Sequence, residues 1–315
     1  MKTVILDRAT LGDDLEIHIP FDTELAIFDK TQPHEVAERI ADADVIFVNK
    51  IRLNSKNLAD AKNLRLICEA ATGYDNIDIP YCKERGIAVC NVPGYSTYSV
   101  SQVTVAMVMS LVNHLKEYTR FTSSGGYTKS GVPNSLTPVF HELNGLTWGI
   151  VGYGNIGARV AKAAEAFGCK VIAFKRTPTD EAECVDIDTL IESSDIITVH
   201  LPLSDSTKNL INRDRIAKMK KNAVFVNTAR GAVTDEEALC EAIEQGKIGA
   251  LGTDVYSKEP FDESSPYYRI KDFDNVCLTP HMAWGAYESR KRCFSQMIDN
   301  MKAYFDGEIL NRVDI

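Results

Sequence analysis

Three side chains with complementary chemistry each follow an apolar run late in the chain. Arg230 lies in Asn227-Thr228-Ala229-Arg230-Gly231, past the run Ala223–Val226. Glu259 lies in Asp254-Val255-Tyr256-Ser257-Lys258-Glu259-Pro260, past Ile248–Val255, and His281 lies in Thr279-Pro280-His281, past Val276–Leu278. His200 and Asp254 also close apolar runs. Taken singly, each reads as a solvated loop residue. Taken together they are the parts of a hydride-transfer site. Reducing a carbonyl needs a proton donor beside its oxygen, and histidine supplies one near neutral pH. A carboxylate paired with that histidine orients it and favours its charged form. An arginine can clamp the carboxylate of a 2-oxo acid in a bidentate manner.

Such a set needs a hydride carrier, and an earlier stretch is suited to hold one. The run Thr147–Val151 reads as a buried strand and leads into Gly152-Tyr153-Gly154-Asn155-Ile156-Gly157. A helical pattern opens at Ala158, with Val160, Ala161, Ala164 and Phe167 at three- and four-residue spacing. Strand, G-x-G-x-x-G and helix, in that order, form a dinucleotide-binding fingerprint in its required context. Gly152 allows the tight turn, Gly154 lets backbone approach a pyrophosphate, and Gly157 lets the helix pack close to the strand. The pyrophosphate would sit on the free N–H groups at the helix start.

The elements around these residues alternate. Up to residue 98, Val4–Leu6, Leu25–Phe28, Val45–Val48, Leu66–Cys68 and Ile87–Val89 are strand-like, and Pro33–Ile40 and Ile79–Arg85 are helix-like. Within this part, Ala71-Thr72-Gly73-Tyr74-Asp75-Asn76-Ile77-Asp78 reads by itself as an ordinary turn. An apolar stretch from Ser99 to Arg120 predicts a buried linking or dimer-packing helix, and Gly125, Gly126, Gly131 and Pro133 mark a loop. Beyond the fingerprint, strands are expected at Lys170–Phe174, Ile196–His200, Ala223–Val226, Ile248–Val255 and Val276–Leu278. Helices are expected at Ile187–Ser193, from the cap Asn212 to Met219, and after a capping box of Thr234 and Glu237. One amphipathic helix and a short tail close the chain. Strands alternating with helices imply parallel sheets covered on both faces.

Composition narrows the class. The 315 residues are 44% apolar and 25% charged, enough for two packed cores. The net charge is −9 with no basic tract, which argues against a nucleic-acid partner. No apolar run approaches the roughly 18 residues of a membrane span, and the N-terminus has no signal-peptide pattern. The eight cysteines are scattered without metal-like spacing, so reduced thiols, a cytoplasmic location and no metal site are expected.

The set Gly-Tyr-Gly-Asn-Ile-Gly, Asn-Thr-Ala-Arg-Gly, Asp-Val-Tyr-Ser-Lys-Glu-Pro and Thr-Pro-His-Met-Ala-Trp resembles the D-isomer-specific 2-hydroxyacid dehydrogenases, in order and spacing, over nearly the whole chain. The resemblance implies an α/β protein of two doubly wound parallel-sheet domains. A Rossmann cofactor domain, residues 99–284, would be inserted in a flavodoxin-like substrate domain, residues 1–98 and 285–315, with the active site in the cleft. It implies His281 as acid/base, Glu259 as its carboxylate partner, Arg230 as the substrate clamp that also polarises the carbonyl, and Asp254 as the holder of the nicotinamide amide. For the cofactor it further implies Thr104, Gly152, Gly154, Asn155, Ile156, Gly157, His200, Pro202, Thr207, Thr228 and Ala229. For the substrate it implies Lys50, Thr72, Gly73, Tyr95 and Trp284, which changes the reading of the Thr72–Gly73 turn. Homodimers are usual in the family.

Asn49-Lys50, Pro93-Gly94-Tyr95-Ser96-Thr97 and His281-Met282-Ala283-Trp284 look like the glycerate dehydrogenases, or hydroxypyruvate reductases, of that family; Val103, where related sequences often carry His, departs from them. The implied reaction reduces hydroxypyruvate or glyoxylate to D-glycerate or glycolate. The alternatives are a reductase of larger 2-oxo acids and a non-catalytic NAD(H)-sensing protein like the corepressors of the same superfamily. NAD-binding members often carry an acid about 20 residues beyond the glycines, for the ribose hydroxyls. Here that place reads Phe174-Lys175-Arg176-Thr177. Two cations there would attract a 2′-phosphate, so NADP(H) is expected to be accepted alongside NAD(H).

Overall fold

Short apolar runs separated by turn residues become the strands of two parallel sheets. Strands buried on both faces read as continuous apolar runs, which is the pattern of parallel sheets. The structure, a computed structural model, describes residues 1–315. Its contacts divide the chain into two units, Met1–Ser96 with Gly285–Ile315, and Thr97–Trp284.

The first unit is built on β1 (Lys2–Ile5), β2 (Glu24–Ile27), β3 (Val45–Val48), β4 (Leu66–Glu69) and β5 (Ala88–Cys90). Their order is β2-β1-β3-β4-β5, all parallel. This is the flavodoxin-like doubly wound order. Helices α1 (Val36–Ile40) and α2 (Ile79–Glu84) lie within it. The Asp78 carboxylate caps α2 by accepting the Tyr81 N–H at 3.2 Å, an interaction worth about 1 kcal/mol.

The second unit contains α3 (Thr97–Val112), α4 (Leu115–Ser123), α5 (Gly126–Ser130), β6 (Thr147–Val151), α6 (Asn155–Ala166), β7 (Lys170–Phe174), β8 (Glu183–Cys184), α7 (Ile187–Ser193), β9 (Ile196–Val199), α8 (Arg213–Ala217), β10 (Val224–Asn227), α9 (Glu236–Glu244), β11 (Ala250–Thr253), α10 (Pro266–Ile270) and β12 (Val276–Leu278). Its seven strands run β12-β11-β10-β9-β6-β7-β8, the Rossmann order extended by one strand. The sheet's direction of growth reverses between β6 and β9. Trp148 of β6 is fully buried, with its indole N–H donated to Thr198 Oγ1 at 3.1 Å. Removing such a ring costs about 3–5 kcal/mol. The chain then returns to the first unit as α11 (Tyr287–Phe305), which packs Cys293, Met297 and Met301 inward and lies against β4.

Several expectations are corrected. The apolar stretch from Ser99 is two helices, because the backbone turns left-handed at His114 (φ 51). The first of them, α3, covers β10, β11 and α6 of its own unit. The glycine-marked loop that follows contains α5. Helix α6 starts at Asn155, three residues before the periodic pattern, so Gly157 sits inside its first turn. The capping box is replaced by a single cap. Asp235 accepts the Ala238 N–H at 2.9 Å, Thr234 turns its hydroxyl back to the Gly231 carbonyl, and Glu237 pairs with Arg269. No helix is long and apolar enough to cross a membrane.

Candidate active site

The glycine loop fits the backbone of a dinucleotide. Gly152 (φ 104) lies at the switch point, and a Cβ there would stand 2.8 Å from the His200 carbonyl. A Cβ on Gly157 would stand 2.2 Å from the Gly152 carbonyl oxygen, so α6 approaches β6 only because that residue lacks one. Around Gly154 the opposite holds. A Cβ there meets nothing within 4 Å, although φ is an ordinary −103°. The fold therefore demands the first and third glycines. Only the middle one leaves open room, beside the unpaired N–H groups where Asn155 and Ile156 begin α6. That space suits a pyrophosphate.

The other expected cofactor residues lie at the ends of neighbouring strands. Lys175 and Arg176 directly follow β7 and are exposed. His200 follows β9; its Nε2 is 3.0 Å from Thr198 Oγ1, and its Nδ1 is buried without a partner. Burial pulls its pKa down to about 3, so the ring is neutral. Thr207 closes the next loop by donating to the Pro202 carbonyl at 2.6 Å. Thr228 and Ala229 follow β10. Thr104 lies behind them, fully buried in α3, with its hydroxyl 2.8 Å from both the Val100 carbonyl and Thr228 Oγ1. Its hydroxyl thus faces protein and supports Thr228 from below.

Arg230, Glu259 and His281 come from three adjacent strands. The register pairs Asn227 of β10 with Thr253 of β11, and Thr253 with Leu278 of β12, so the three strands end together. Gly231 lets the first loop press on the second, since a Cβ there would be 2.2 Å from the Tyr256 carbonyl carbon. The Asn227 side chain accepts the Ala229 N–H and donates to the Arg230 carbonyl, both at 2.9 Å, which fixes the backbone that carries the guanidinium.

His281 Nδ1 lies 2.6 Å from Glu259 Oε2, and Glu259 Oε1 accepts the Tyr256 N–H at 2.9 Å. A carboxylate only accepts, so Nδ1 donates, and that bond fixes the tautomer and orientation of the ring. The pair is 19% and 30% exposed, which leaves it reachable yet shielded enough for the interaction to count. His281 is held at φ 52, an uncommon conformation for a non-glycine residue and one that concentrates at functional sites.

Asp254 supplies the constraint on that histidine. The carboxylate is 1% exposed and accepts from Thr279 Oγ1 at 2.6 Å, Met282 N at 2.8 Å and Ala283 N at 2.8 Å. Burial raises its pKa against these three donors. The group expected to hold the nicotinamide amide is thus turned toward the histidine loop, on both sides of His281. Ser99 of α3 donates to the Ala283 carbonyl at 2.5 Å and ties down the far end of the same loop.

In the first unit, Lys50 follows β3, Thr72 and Gly73 follow β4, and Tyr95 follows β5. Lys50 and Thr72 are exposed and Tyr95 is buried. Trp284 is half-buried at the end of the second unit. Tyr256 was missed in the sequence: its N–H holds Glu259 and its hydroxyl donates to the Thr279 carbonyl at 2.8 Å, joining two of the site loops. Glu236 was missed as well, and accepts the Ser257 N–H at 2.7 Å. Tyr256 lies inside the Asp-Val-Tyr-Ser-Lys-Glu-Pro run, but the role of its N–H depends on the turn that brings Glu259 back to it, and Glu236 lies outside every motif.

A family model described as D-isomer specific 2-hydroxyacid dehydrogenase, NAD binding domain, matches residues 105–283. The chain belongs to this family. The dehydrogenase is 35% identical over 314 residues to the glycerate dehydrogenase of Methylorubrum extorquens, covering 99% of both chains. It is 33% identical over 324 residues to the hydroxypyruvate reductase of Blautia hydrogenotrophica, covering 100% of both. Among solved structures, it resembles a D-lactate dehydrogenase from Aquifex aeolicus complexed with NAD and lactic acid. That structure shares 29% identity and a TM-score of 0.83, covering 100% of this chain and 99% of the other. The second unit of this dehydrogenase is therefore an NAD-binding domain, and the protein is an oxidoreductase.

Proposed function

We propose that this dehydrogenase reduces a small 2-oxo acid, hydroxypyruvate or glyoxylate, to the D-2-hydroxy acid or glycolate. The observation that carries the reading is the convergence of Arg230, Glu259 and His281 from the ends of β10, β11 and β12. The names of the relatives supply the substrate class. The glycine loop, Asn155 and Ile156 hold the cofactor diphosphate, and His200, Pro202, Thr207, Thr228 and Ala229 complete the cofactor wall, with Thr104 behind Thr228. When bound, NAD(P)H supplies the hydride that reaches the carbonyl carbon.

The chain supplies the remaining steps. Arg230 pairs with the substrate carboxylate and polarises the carbonyl. His281 gives the Nε2 proton to the carbonyl oxygen as it gains charge, so one hydride and one proton convert the carbonyl to an alcohol. Glu259 holds Nδ1 and keeps Nε2 aimed. Lys50, the Thr72–Gly73 backbone, Tyr95 and Trp284 take further contacts with the acid. Lys175 and Arg176 lie where a 2′-phosphate would need them, so the dehydrogenase accepts NADP(H) as well as NAD(H).

The protein acts as a homodimer. Within residues 115–140 the second unit exposes Leu115, Val132, Leu136, Val139 and Phe140, an apolar surface that a second copy would cover. All eight cysteines are free, as a reducing cytoplasm allows. Steady-state turnover against a panel of 2-oxo acids with NADH and NADPH tests the assignment. Saturable reduction of hydroxypyruvate or glyoxylate is expected. NADH binding without turnover of any acid would favour the sensor reading instead.

A further inference from the structure

Glu69 is the last residue of β4 and is fully buried, beside α11 and immediately before the Thr72–Gly73 loop. Its Oε2 accepts from Asn76 Nδ2 at 3.1 Å, while its Oε1 is buried with no partner at all. The same Asn76 amide reaches the carbonyls of Ile51 at 3.1 Å and Asn49 at 3.4 Å. On the other side, Asp7 takes the N–H groups of the same segment: Asn49 N is 3.1 Å from both carboxylate oxygens, and Lys50 N is 2.6 Å from Oδ2. The backbone around Lys50 is thus gripped through its N–H groups by one buried carboxyl and through its carbonyls by an amide that a second buried carboxyl orients.

The grip extends to the neighbouring loop. Leu53 N donates to the Asn76 carbonyl and Asp78 N to the Leu53 carbonyl, both at 2.9 Å, zipping the Lys50 segment to the loop that begins at Thr72. Asn91 Nδ2 then holds the Thr72 carbonyl at 2.8 Å. We infer that Glu69 is a positioning residue: through Asn76 it fixes the backbone that presents Lys50 and the Thr72–Gly73 loop, and so sets how tightly the carboxylate of the 2-oxo acid is held. The inference rests on the reaction proposed above for its link to KM.

Glu69 does this as a neutral acid. A buried carboxylate with one hydrogen bond is strongly disfavoured over the protonated form. Burial drives the Glu69 pKa well above the usual carboxylate range; Asn76 opposes this, Asp7 and Asp75 add to it, and Lys50 opposes it. The remaining titratable neighbour is the Cys293 thiol of α11, itself pushed up by burial. The neutral acid still offers a carbonyl oxygen to Asn76, and glutamine would offer the same.

The test compares Glu69→Gln, Glu69→Ala and Asn76→Ala with wild type. Glu69→Gln should keep KM within about twofold, whereas Glu69→Ala and Asn76→Ala should raise KM for the 2-oxo acid about tenfold with little change in kcat. A second readout needs no substrate. The native carboxyl keeps a proton that the unfolded chain loses above about pH 4.5, so its presence costs stability increasingly as pH rises toward the native pKa. Glu69→Gln removes that cost, and its Tm advantage over wild type should widen from pH 5 to pH 8. Wild-type KM in Asn76→Ala, equal losses in Glu69→Gln and Glu69→Ala, or a Tm difference flat with pH each overturns the inference. If Glu69→Ala does not fold, the other two variants decide it. Wild-type turnover separates the two claims: its absence sinks the assigned reaction, whereas an unchanged KM in an active Asn76→Ala enzyme sinks the positioning role alone.

Discussion

Nδ1 of His281 is 2.6 Å from Oε2 of Glu259, and the other oxygen of that carboxylate is held by the Tyr256 N–H. The imidazole is therefore oriented from behind by a group that is itself fixed to backbone. General acid catalysis contributes about 10²–10⁴-fold, so His281→Ala should lower kcat by that order while leaving the cofactor Kd near wild type. Glu259→Gln keeps the shape but removes the charge and the certainty of tautomer, and a smaller fall of about 10-fold to 100-fold in kcat/KM is expected. Stopped-flow single turnovers with both variants check this. Near-wild-type kcat in His281→Ala would refute the assignment.

The three glycines of the fingerprint should respond differently to alanine. At Gly157 a Cβ would stand 2.2 Å from a backbone oxygen, so Gly157→Ala forces α6 off β6 and lowers Tm. Around Gly154 there is open space, so Gly154→Ala should leave Tm unchanged. The added methyl then occupies the room assigned to the diphosphate, and cofactor Kd should rise about tenfold or more. Calorimetry and a cofactor titration on the two variants distinguish a folding glycine from a binding one. Unimpaired binding by Gly154→Ala would remove the diphosphate from that space.

Lys175 and Arg176 are exposed just past β7, where a ribose phosphate would be read. Replacing both with alanine should lower kcat/KM for NADPH by about 10-fold to 100-fold, through loss of charge-assisted contacts. NADH kinetics should change little, because NADH lacks the 2′-phosphate. A wild-type enzyme that already prefers NADH by a large factor would show that the two cations do not serve the cofactor.

Much of this site was legible because of where parallel sheets put chemistry. Arg230, Glu259 and His281 each follow a continuous apolar run, and such runs end at the edge where ligands bind. The runs before Arg230 and Glu259 were legible because β10 and β11 are buried on both faces. What was hidden depended on single backbone events. The apolar pattern resumes after the polar pair Asn113-His114, yet His114 turns left-handed and splits α3 from α4. Asn155-Ile156-Gly157 has weak helix propensity, and α6 starts there because of close packing on β6. Asp7 and Glu69 look like ordinary strand-end polar residues in sequence. Their importance comes from burial and from the backbone groups they grip.

Asp254 offers a sharper test of how the histidine loop is held. Its two oxygens take three donors, from Thr279, Met282 and Ala283, on either side of a residue at φ 52. In Asp254→Asn one end becomes an NH₂ group that must face an existing N–H or O–H donor. A buried donor left without an acceptor costs about 1–3 kcal/mol, and for a domain of this size each kcal/mol lowers Tm by about 2–4 °C. The loosened loop should also move His281 off its geometry, so kcat falls about tenfold. If bracing is the main role of Asp254, the cofactor Kd stays within about threefold of wild type. A large rise in Kd with kcat preserved would instead give the carboxylate back to the nicotinamide amide.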